Sequence, residues 1–588
     1  MCGIVGYIGK QKVIPILFNG LNALEYRGYD SAGIAYVTDK INIEKEKGRL
    51  DNLIKKVDQT IDSTLGIGHT RWATHGKPNN VNAHPHKQGS ITLVHNGIIE
   101  NYEELKLLLK DYNFKSETDT EVLAALIDKL YQEKKDIKCV LKKCSELIRG
   151  SYAIAIIVDD DFNHLYATRK DSPLIIATSK TGNFIASDVP AILKYTNQYM
   201  LLDNYDIAVI SKDKIDVFNR KLELITKKVL TFEGSYEAAC KNGYKHFMLK
   251  EIFEEPYVFK KTVEPYIEFG LDSLNKLPNL NKYTKLEIIG CGSAYHAGLI
   301  GKNLIEKFGN IPVEVYIASE YRYNKIFHSE NTLAIFISQS GETADTLACL
   351  RKAKEENIST LGIINVVDSS IAREVDQVIY TKAGCEIAVA TTKAYMAQVS
   401  LLTLMALNLN KDINVIKEIR TLPKLMDEVL NYDYEELAKK IYNEENIFFI
   451  GRSTDYSLCL EGSLKLKEVS YIHSDAYPAG ELKHGTISLI NNNTYVIAIS
   501  TLEKLNEKMI SNIKEVKARG AKVIYITTDK LNIEDNFYDE KIVIPTTLEI
   551  LQPIITVIPL QLLAYYVAEL RNCDIDKPKN LAKSVTVE

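Results

Sequence analysis

Apolar residues recur along this chain at two spacings, and the change from one to the other divides it. From residue 2 to about 220 the apolar positions fall in short strand-like runs, such as ITLVHNGII at 91–99, SYAIAIIVDD at 151–160 and HLYATR at 164–169. One stretch there departs from this pattern. In DTEVLAALIDKLYQE, Val122, Leu123, Leu126 and Leu130 have helical spacing, and Thr118 stands where an N-cap belongs. From 221 to 280 the chain is charged and helical in pattern, which predicts a linker with packing helices. After 280, apolar strands alternate with longer helices: LEIIG, TLAIFIS and STLGIIN, then NIFFIG, TYVIAIS and KVIYIT. Such alternation predicts parallel sheets covered on both faces.

The later region repeats itself. Ile289-Gly290, Tyr295 and Gly301 match Ile450-Gly451, Tyr456 and Gly462 at a constant offset of 161, and Ile337-Ser338 matches Ile499-Ser500 at 162. A sustained offset over two strands predicts two similar doubly wound domains, at 281–415 and 437–575, followed by a tail at 576–588.

Composition narrows the class. With 588 residues, the chain is too long for one core. A net charge of −5 argues against a nucleic-acid partner. Nine scattered cysteines read as reduced thiols, with Cys349 and Cys459 as packing residues in helices. The opening MCGIVGYIGKQK lacks the layout of a signal peptide. The most apolar stretch, Ile550 to Ala568, contains Gln552, Pro553, Pro559 and Gln561, so it reads as a buried helix rather than a membrane span. These features predict a cytoplasmic protein with no membrane contact.

Cys2 directly follows Met1. If the methionine is removed, as a small second residue favours, Cys2 gains a free α-amine with a pKa of about 7.7–8. That amine can take the proton of its own thiol, and a thiolate attacking a glutamine side chain would release ammonia. Asn96-Gly97 can supply donors to an oxyanion, although the same dipeptide also suits a hairpin turn. Arg71 can clamp a carboxylate with two hydrogen bonds, and Asp119 can meet an ammonium or serve as a helix-capping residue. His84 and His86 have no carboxylate or thiol cluster beside them, so no metal is expected. The segments CGIVGYIG at 2–9, EYRGYDSAGIA at 25–35, GHTRWATHG at 68–76, NAHPH at 82–86, HNGIIENY at 95–102 and SETDTE at 116–121 together resemble the class II glutamine amidotransferases. The resemblance covers 2–220 and implies an αββα sandwich with an N-terminal nucleophile. It makes Cys2 the nucleophile, Asn96 and Gly97 the oxyanion donors, and Arg71 and Asp119 the glutamine clamp. Thr74, His75 and His84 then line the glutamine site, and Trp72, the only tryptophan, gates an internal ammonia channel.

In AIFISQSGETADTL at 334–347, Ser338, Gln339, Ser340 and Thr343 cluster at a predicted helix N-terminus, where uncapped N–H groups favour a phosphate. The second copy reads AISTLEKLNE there, and Glu503 and Glu507 would repel an anion, so one phosphate cup is expected. Glu461, Lys465 and Glu468 share one helical face, as a surface ion-pair stripe also would. These segments, with GCGSA at 290–294, AVATTK at 388–393 and LAKSVTVE at 581–588, resemble sugar isomerase (SIS) domains. The whole arrangement resembles the family of two-part amidotransferases that aminate and isomerise fructose 6-phosphate to glucosamine 6-phosphate. That resemblance implies Glu468 as the proton-shuttling base with Lys465 beside it, His484 for ring opening, and Lys583 as a Schiff-base amine. It places Ser293, Val389 and Thr391 at the sugar phosphate, and implies a homodimer without a cofactor. Ala294 departs from the family's usual serine.

Three other readings are weighed. A different class II amidotransferase would need a phosphoribosyl-pyrophosphate or ATP-pyrophosphatase loop, and neither follows residue 220. A sugar-phosphate sensor would not need Glu468, His484 and Lys583. A deglycase acting on another sugar phosphate is separated by identifying products from glutamine and fructose 6-phosphate.

Overall fold

A computed structural model describes residues 2–72, 76–232, 241–492, 494–531 and 536–586. The chain forms two compact units, Met1–Ala239 with Ala582–Glu588, and Cys240–Leu581.

The first unit contains two antiparallel sheets, of eight and seven strands. In the larger sheet, β1 (Gly3–Gly9) is followed by the outer helix α1 (Val13–Ala23) and pairs with β2 (Leu65–Arg71). In the smaller sheet, β3 (Ile91–Ile99) lies under helix α2 (Asp119–Lys134) and pairs with β4 (Gly150–Val158). Strand alternation builds the layers. Ile91 and Leu93 of β3 pack with Val122, Leu123 and Ile127 of α2, whereas Val94 turns the other way, into the core where Ile4, Ile8 and Ile67 meet Ala153 and Ala155. The result is the αββα sandwich. Helix α2 starts as its sequence predicts, with the Thr118 side chain accepting the Glu121 N–H.

The boundary expected at 220 falls inside this unit. Leu224–Ile225 pairs with Ile215–Phe218, and Leu230–Thr231 with Gln198–Leu201. Two-residue strands are too short to show any period. The expected linker at 221–280 is part of both units: its helices at Phe247–Phe253 and Glu255–Val263 send Met248, Ile252, Val258 and Phe259 into the core of the second unit.

The second unit has two five-stranded parallel sheets with the same strand order. In the first, β5 (Lys285–Gly290) leads into helix α3 (Ser293–Leu304), and β6 (Thr332–Ser338) leads through a loop into α4 (Ala344–Glu355). The long helix α5 (Lys393–Leu409) follows. In the second sheet, β7 (Asn446–Gly451) leads into α6 (Thr454–Ser470), and β8 (Tyr495–Ser500) is followed by α7 (Asn506–Lys517). The duplication reaches single backbone angles: Gly292 and Ser453, 161 residues apart, both have φ 55° and ψ −127° before their helices. Positive φ is uncommon for serine, so the shared conformation is a mark of common design. The apolar helix α8 (Gln552–Leu570) is long enough to cross a bilayer, but 83% of its apolar window is buried inside the unit. Cys349 and Cys459 are buried in α4 and α6. The expected tail divides: Asp576 accepts the Phe247 and Met248 N–H groups at 2.9 Å each, whereas the residues from Ala582 group with the first unit.

Candidate active sites

Cys2 stands half-buried just ahead of β1. The Trp72 N–H donates to its Sγ at 3.3 Å. Its carbonyl accepts from Asn96 Nδ2 at 2.9 Å and from Arg27 Nε at 3.2 Å. Burial pushes the Cys2 thiol above its ordinary value, while the Trp72 N–H and the Arg71 and Arg27 guanidiniums pull it back. A thiol in this setting needs a base to ionise it.

Asn96 and Gly97 lie inside β3, opposite Ala153 and Tyr152, so the hairpin-turn alternative is excluded. Gly97 has φ +130°, and a Cβ there would stand 2.0 Å from the Ser151 carbonyl oxygen, so only glycine fits. Arg71 ends β2, buried, with Nη2 donating to the Gly76 carbonyl at 3.2 Å. Burial lowers its pKa, and the acidic groups of Cys2 and Asp119 oppose that. Asp119 is the first residue of α2 and accepts the Ile99 N–H at 2.8 Å. His84 is buried and stacks on His69, with centroids 4.1 Å apart. Burial drives His84 and His86 well below the usual histidine range, so both are neutral at neutral pH. Thr74 and His75 lie outside the described residues.

Two residues that touch this centre were not singled out in the sequence. Arg27 holds the Cys2 carbonyl and pairs with Asp188 at 3.0 Å, and His69 holds Asn96 at 3.0 Å. Both lie within quoted motifs, EYRGYD and GHTRW, but a motif does not say which side chain turns inward.

In the second unit, the loop after β6 folds on its own hydroxyls. Ser338 Oγ accepts the Gly341 N–H at 2.9 Å and lies 3.2 Å from Thr343 Oγ1. Ser340 Oγ accepts the Glu342 N–H at 3.1 Å. Gly341 has φ +65°, and a Cβ there would lie 1.9 Å from Ser369 Oγ. Thr343 precedes α4 without capping it through its side chain. Gln339 is half-buried.

The second copy fills the equivalent place with its own carboxylate. Asp455, the second residue of α6 and equivalent to Ala294, accepts from Thr501 N at 2.8 Å and from Thr501 Oγ1 at 2.6 Å. The residues expected to exclude an anion there, Glu503 and Glu507, are instead both exposed, and Glu503 pairs with Lys530 at 2.7 Å. A buried acid already bonded to the loop is a stronger bar than an exposed one screened by water.

Helix α6 carries the buried charges. Lys465 Nζ is 2.5 Å from Glu468 Oε2 and 3.5 Å from Glu461 Oε1. Lys465 is 1% exposed and Glu461 0%, which excludes a wet surface stripe. Burial pulls the Lys465 ammonium down, but Glu468 and Glu461 outweigh it and hold the pKa above the ordinary lysine value. Across from α6, α3 supplies two donors to Glu461: Ser293 Oγ at 2.9 Å and His296 Nδ1 at 2.8 Å. The structure thus brings Ser293, Glu461, Lys465 and Glu468 together. Val389 is buried, and its N–H donates to the Asp576 carbonyl at 3.0 Å. Thr391 is half-buried. His484 is exposed, at the end of the short turn Leu482–His484. Lys583 is half-buried in the final stretch that groups with the first unit.

Comparisons with known proteins agree with this division. A glutamine amidotransferase domain model matches residues 69–194, and a SIS domain model matches 279–408 and 440–571. The chain is 50% identical to a glutamine–fructose-6-phosphate aminotransferase (isomerizing) of Caldanaerobacter subterraneus subsp. tengcongensis and 48% identical to one of Clostridium tetani, with full coverage of both chains in each case. The solved C-terminal domain of glucosamine-fructose-6-phosphate aminotransferase from Francisella tularensis matches 57% of this chain and 99% of its own, at 38% identity and a TM-score of 0.55. Two sugar isomerase domains behind an amidotransferase sandwich, with relatives this similar over their whole length, place this chain in the family of isomerizing glutamine–fructose-6-phosphate aminotransferases.

Proposed function

We propose that the two centres divide the reaction between them. At the first, Arg71 holds the α-carboxylate of glutamine and Asp119 its α-ammonium. The Cys2 thiol passes its proton to the Cys2 α-amine and the sulfur attacks the side-chain amide carbon. The oxyanion is met by Asn96 Nδ2 and the Gly97 N–H. The C–N bond breaks, the amine returns the proton to the departing nitrogen, and ammonia leaves. Water then hydrolyses the thioester to glutamate. Asn96 carries this reading: one of its two Nδ2–H bonds engages the Cys2 carbonyl at 2.9 Å, and an amide nitrogen has a second to give.

At the second centre, Ser338, Gln339, Ser340, Thr343, Ser293, Val389 and Thr391 take the phosphate and the sugar. His484 opens the ring. The Lys583 amine forms a Schiff base with the ketose, and ammonia displaces it. Glu468 moves a proton from C1 to C2, with Lys465 as its charged neighbour, and glucosamine 6-phosphate leaves. Trp72 gates the ammonia released at Cys2. The enzyme works as a cytoplasmic homodimer.

Incubation with glutamine and fructose 6-phosphate should yield glutamate and glucosamine 6-phosphate by mass. Cys2→Ala should abolish glutamine hydrolysis while sugar isomerisation persists. Lys583→Arg should do the reverse, because a guanidinium stays protonated and cannot attack a carbonyl. Normal synthase activity in Lys583→Arg would remove the covalent step.

A further inference from the structure

An asparagine amide has two ends of nearly equal shape, and only its hydrogen-bond partners decide which way it lies. The reading of Asn96 as oxyanion donor needs Nδ2, not Oδ1, on the side of Cys2. His69 is placed to enforce this. It is 0% exposed on β2, with Nε2 3.0 Å from Asn96 Oδ1 and 3.0 Å from the His95 carbonyl oxygen. Both neighbours are acceptors, so Nε2 must carry the hydrogen. The ring cannot readily turn away, because His84 stacks on it with an interplanar angle of 29°. Burial drives His69 down to about 3, so at neutral pH the ring is uncharged, with Nδ1 bare. Among the described residues Nδ1 has no hydrogen-bond partner, as that tautomer allows.

We propose that His69 is a positioning residue that fixes the Asn96 amide with its nitrogen toward Cys2, so that the oxyanion donor is set before glutamine binds. This rests on the reading of Asn96 given above. In this role His69 acts through Asn96. It acts by removing the flipped amide, in which an oxygen lone pair would face the developing oxyanion.

The test uses the full-length enzyme, three single variants and one double variant. His69→Met keeps the approximate volume but cannot donate. His69→Gln keeps an N–H donor at the position of Nε2. Asn96→Ala removes the oxyanion donor itself, a loss worth about 10²–10³ in kcat in comparable sites. For glutamine hydrolysis, His69→Met should lower kcat by at least about tenfold with KM for glutamine within about twofold, since Arg71 and Asp119 are untouched. Affinity for glutamate γ-semialdehyde, which forms a tetrahedral adduct with the Cys2 thiol, should fall by the same factor as kcat. His69→Gln should recover most of both. Introduced into Asn96→Ala, His69→Met should cost nothing further in kcat, a cycle that also discounts any general loss of stability. An unchanged kcat in His69→Met beside a large loss in Asn96→Ala would overturn this proposal alone. Equal losses in the Met and Gln variants, or full additivity with Asn96→Ala, would do the same. An Asn96→Ala enzyme with normal kcat would overturn the Asn96 reading and this proposal with it.

Discussion

Lys465 places a full positive charge at 1% exposure between two carboxylates of its own helix. Such an arrangement adds little net stability, but breaking it leaves charges buried without a counter-ion. Lys465→Ala should therefore destabilise the second unit by about 3–5 kcal/mol and abolish isomerisation. Lys465→Met replaces the stem, but it too removes the ammonium from Glu468 and leaves Glu461 only its Ser293 and His296 donors. Glutamine hydrolysis should survive both changes, because Cys2 lies in the other unit. Thermal unfolding together with separate glutaminase and isomerase assays would check this. A Lys465→Ala protein with unchanged stability would mean that solvent reaches the site.

The contrast between the two loop–helix elements is a contrast of occupants. After β6, the hydroxyls of Ser338, Ser340 and Thr343 bond to the loop itself, and Ala294 offers no competing carboxylate. After β8, Asp455 already takes the Thr501 donors. Ser340→Ala and Thr343→Ala should each weaken fructose 6-phosphate binding by about 1–3 kcal/mol, if each loses a hydrogen bond to a charged phosphate. Thr501→Ala should leave that affinity unchanged but lower the melting temperature, because Asp455 is then under-bonded in the core. Calorimetric titration with fructose 6-phosphate and thermal scans of the three variants separate the two effects. Equal losses of affinity in both copies would mean that both bind phosphate.

On the scale of the whole molecule, the two units should respond to pH in opposite directions. In the second, burial raises Asp455 from 3.8 to about 6. Its contribution is fully present below the unfolded value and is lost as pH rises through about 6, a change of roughly 3 kcal/mol. Asp455→Asn should stabilise this unit at pH 8 and change it little at pH 4, since an asparagine can accept the Thr501 N–H and donate to its hydroxyl. In the first unit, burial drives His69 down to about 3 and lowers His84 and His86 as well. Their contribution is present above about 6.5 and is lost as pH falls below it, because only the unfolded chain takes up the protons. Trp72, the only tryptophan, lies in the first unit, so its fluorescence reports on that unit. Its unfolding midpoint should fall between pH 7 and pH 5. A Trp72 midpoint insensitive to pH over that range would show that water reaches the histidines. Sedimentation of the intact protein would check the proposed homodimer.

Local patterning settled much of this protein in advance. The strand runs at 91–99 and 151–160, the helix capped by Thr118, the alternation after 280 and the repeat at 161 are short-range signals, and short-range sterics and burial decide them. The motifs offered Cys2, Arg71, Asn96 and Asp119 as candidates without the fold. What the sequence could not contain is the direction in which each side chain turns and what it meets there. Asn96-Gly97 reads equally as a turn until strand pairing opposite Ala153 and Tyr152 removes that option. The acidic stripe of α6 reads equally as wet until packing against α3 closes it. Glu503 and Glu507 look like the barrier to an anion, yet Asp455, 48 residues before Glu503, is the acid bonded to the loop there. His69 passes as one letter of a motif until Asn96, 27 residues away, comes within 3.0 Å. Pairing, burial and tautomer depend on contacts between residues far apart in the chain, and only the tertiary structure brings those residues together.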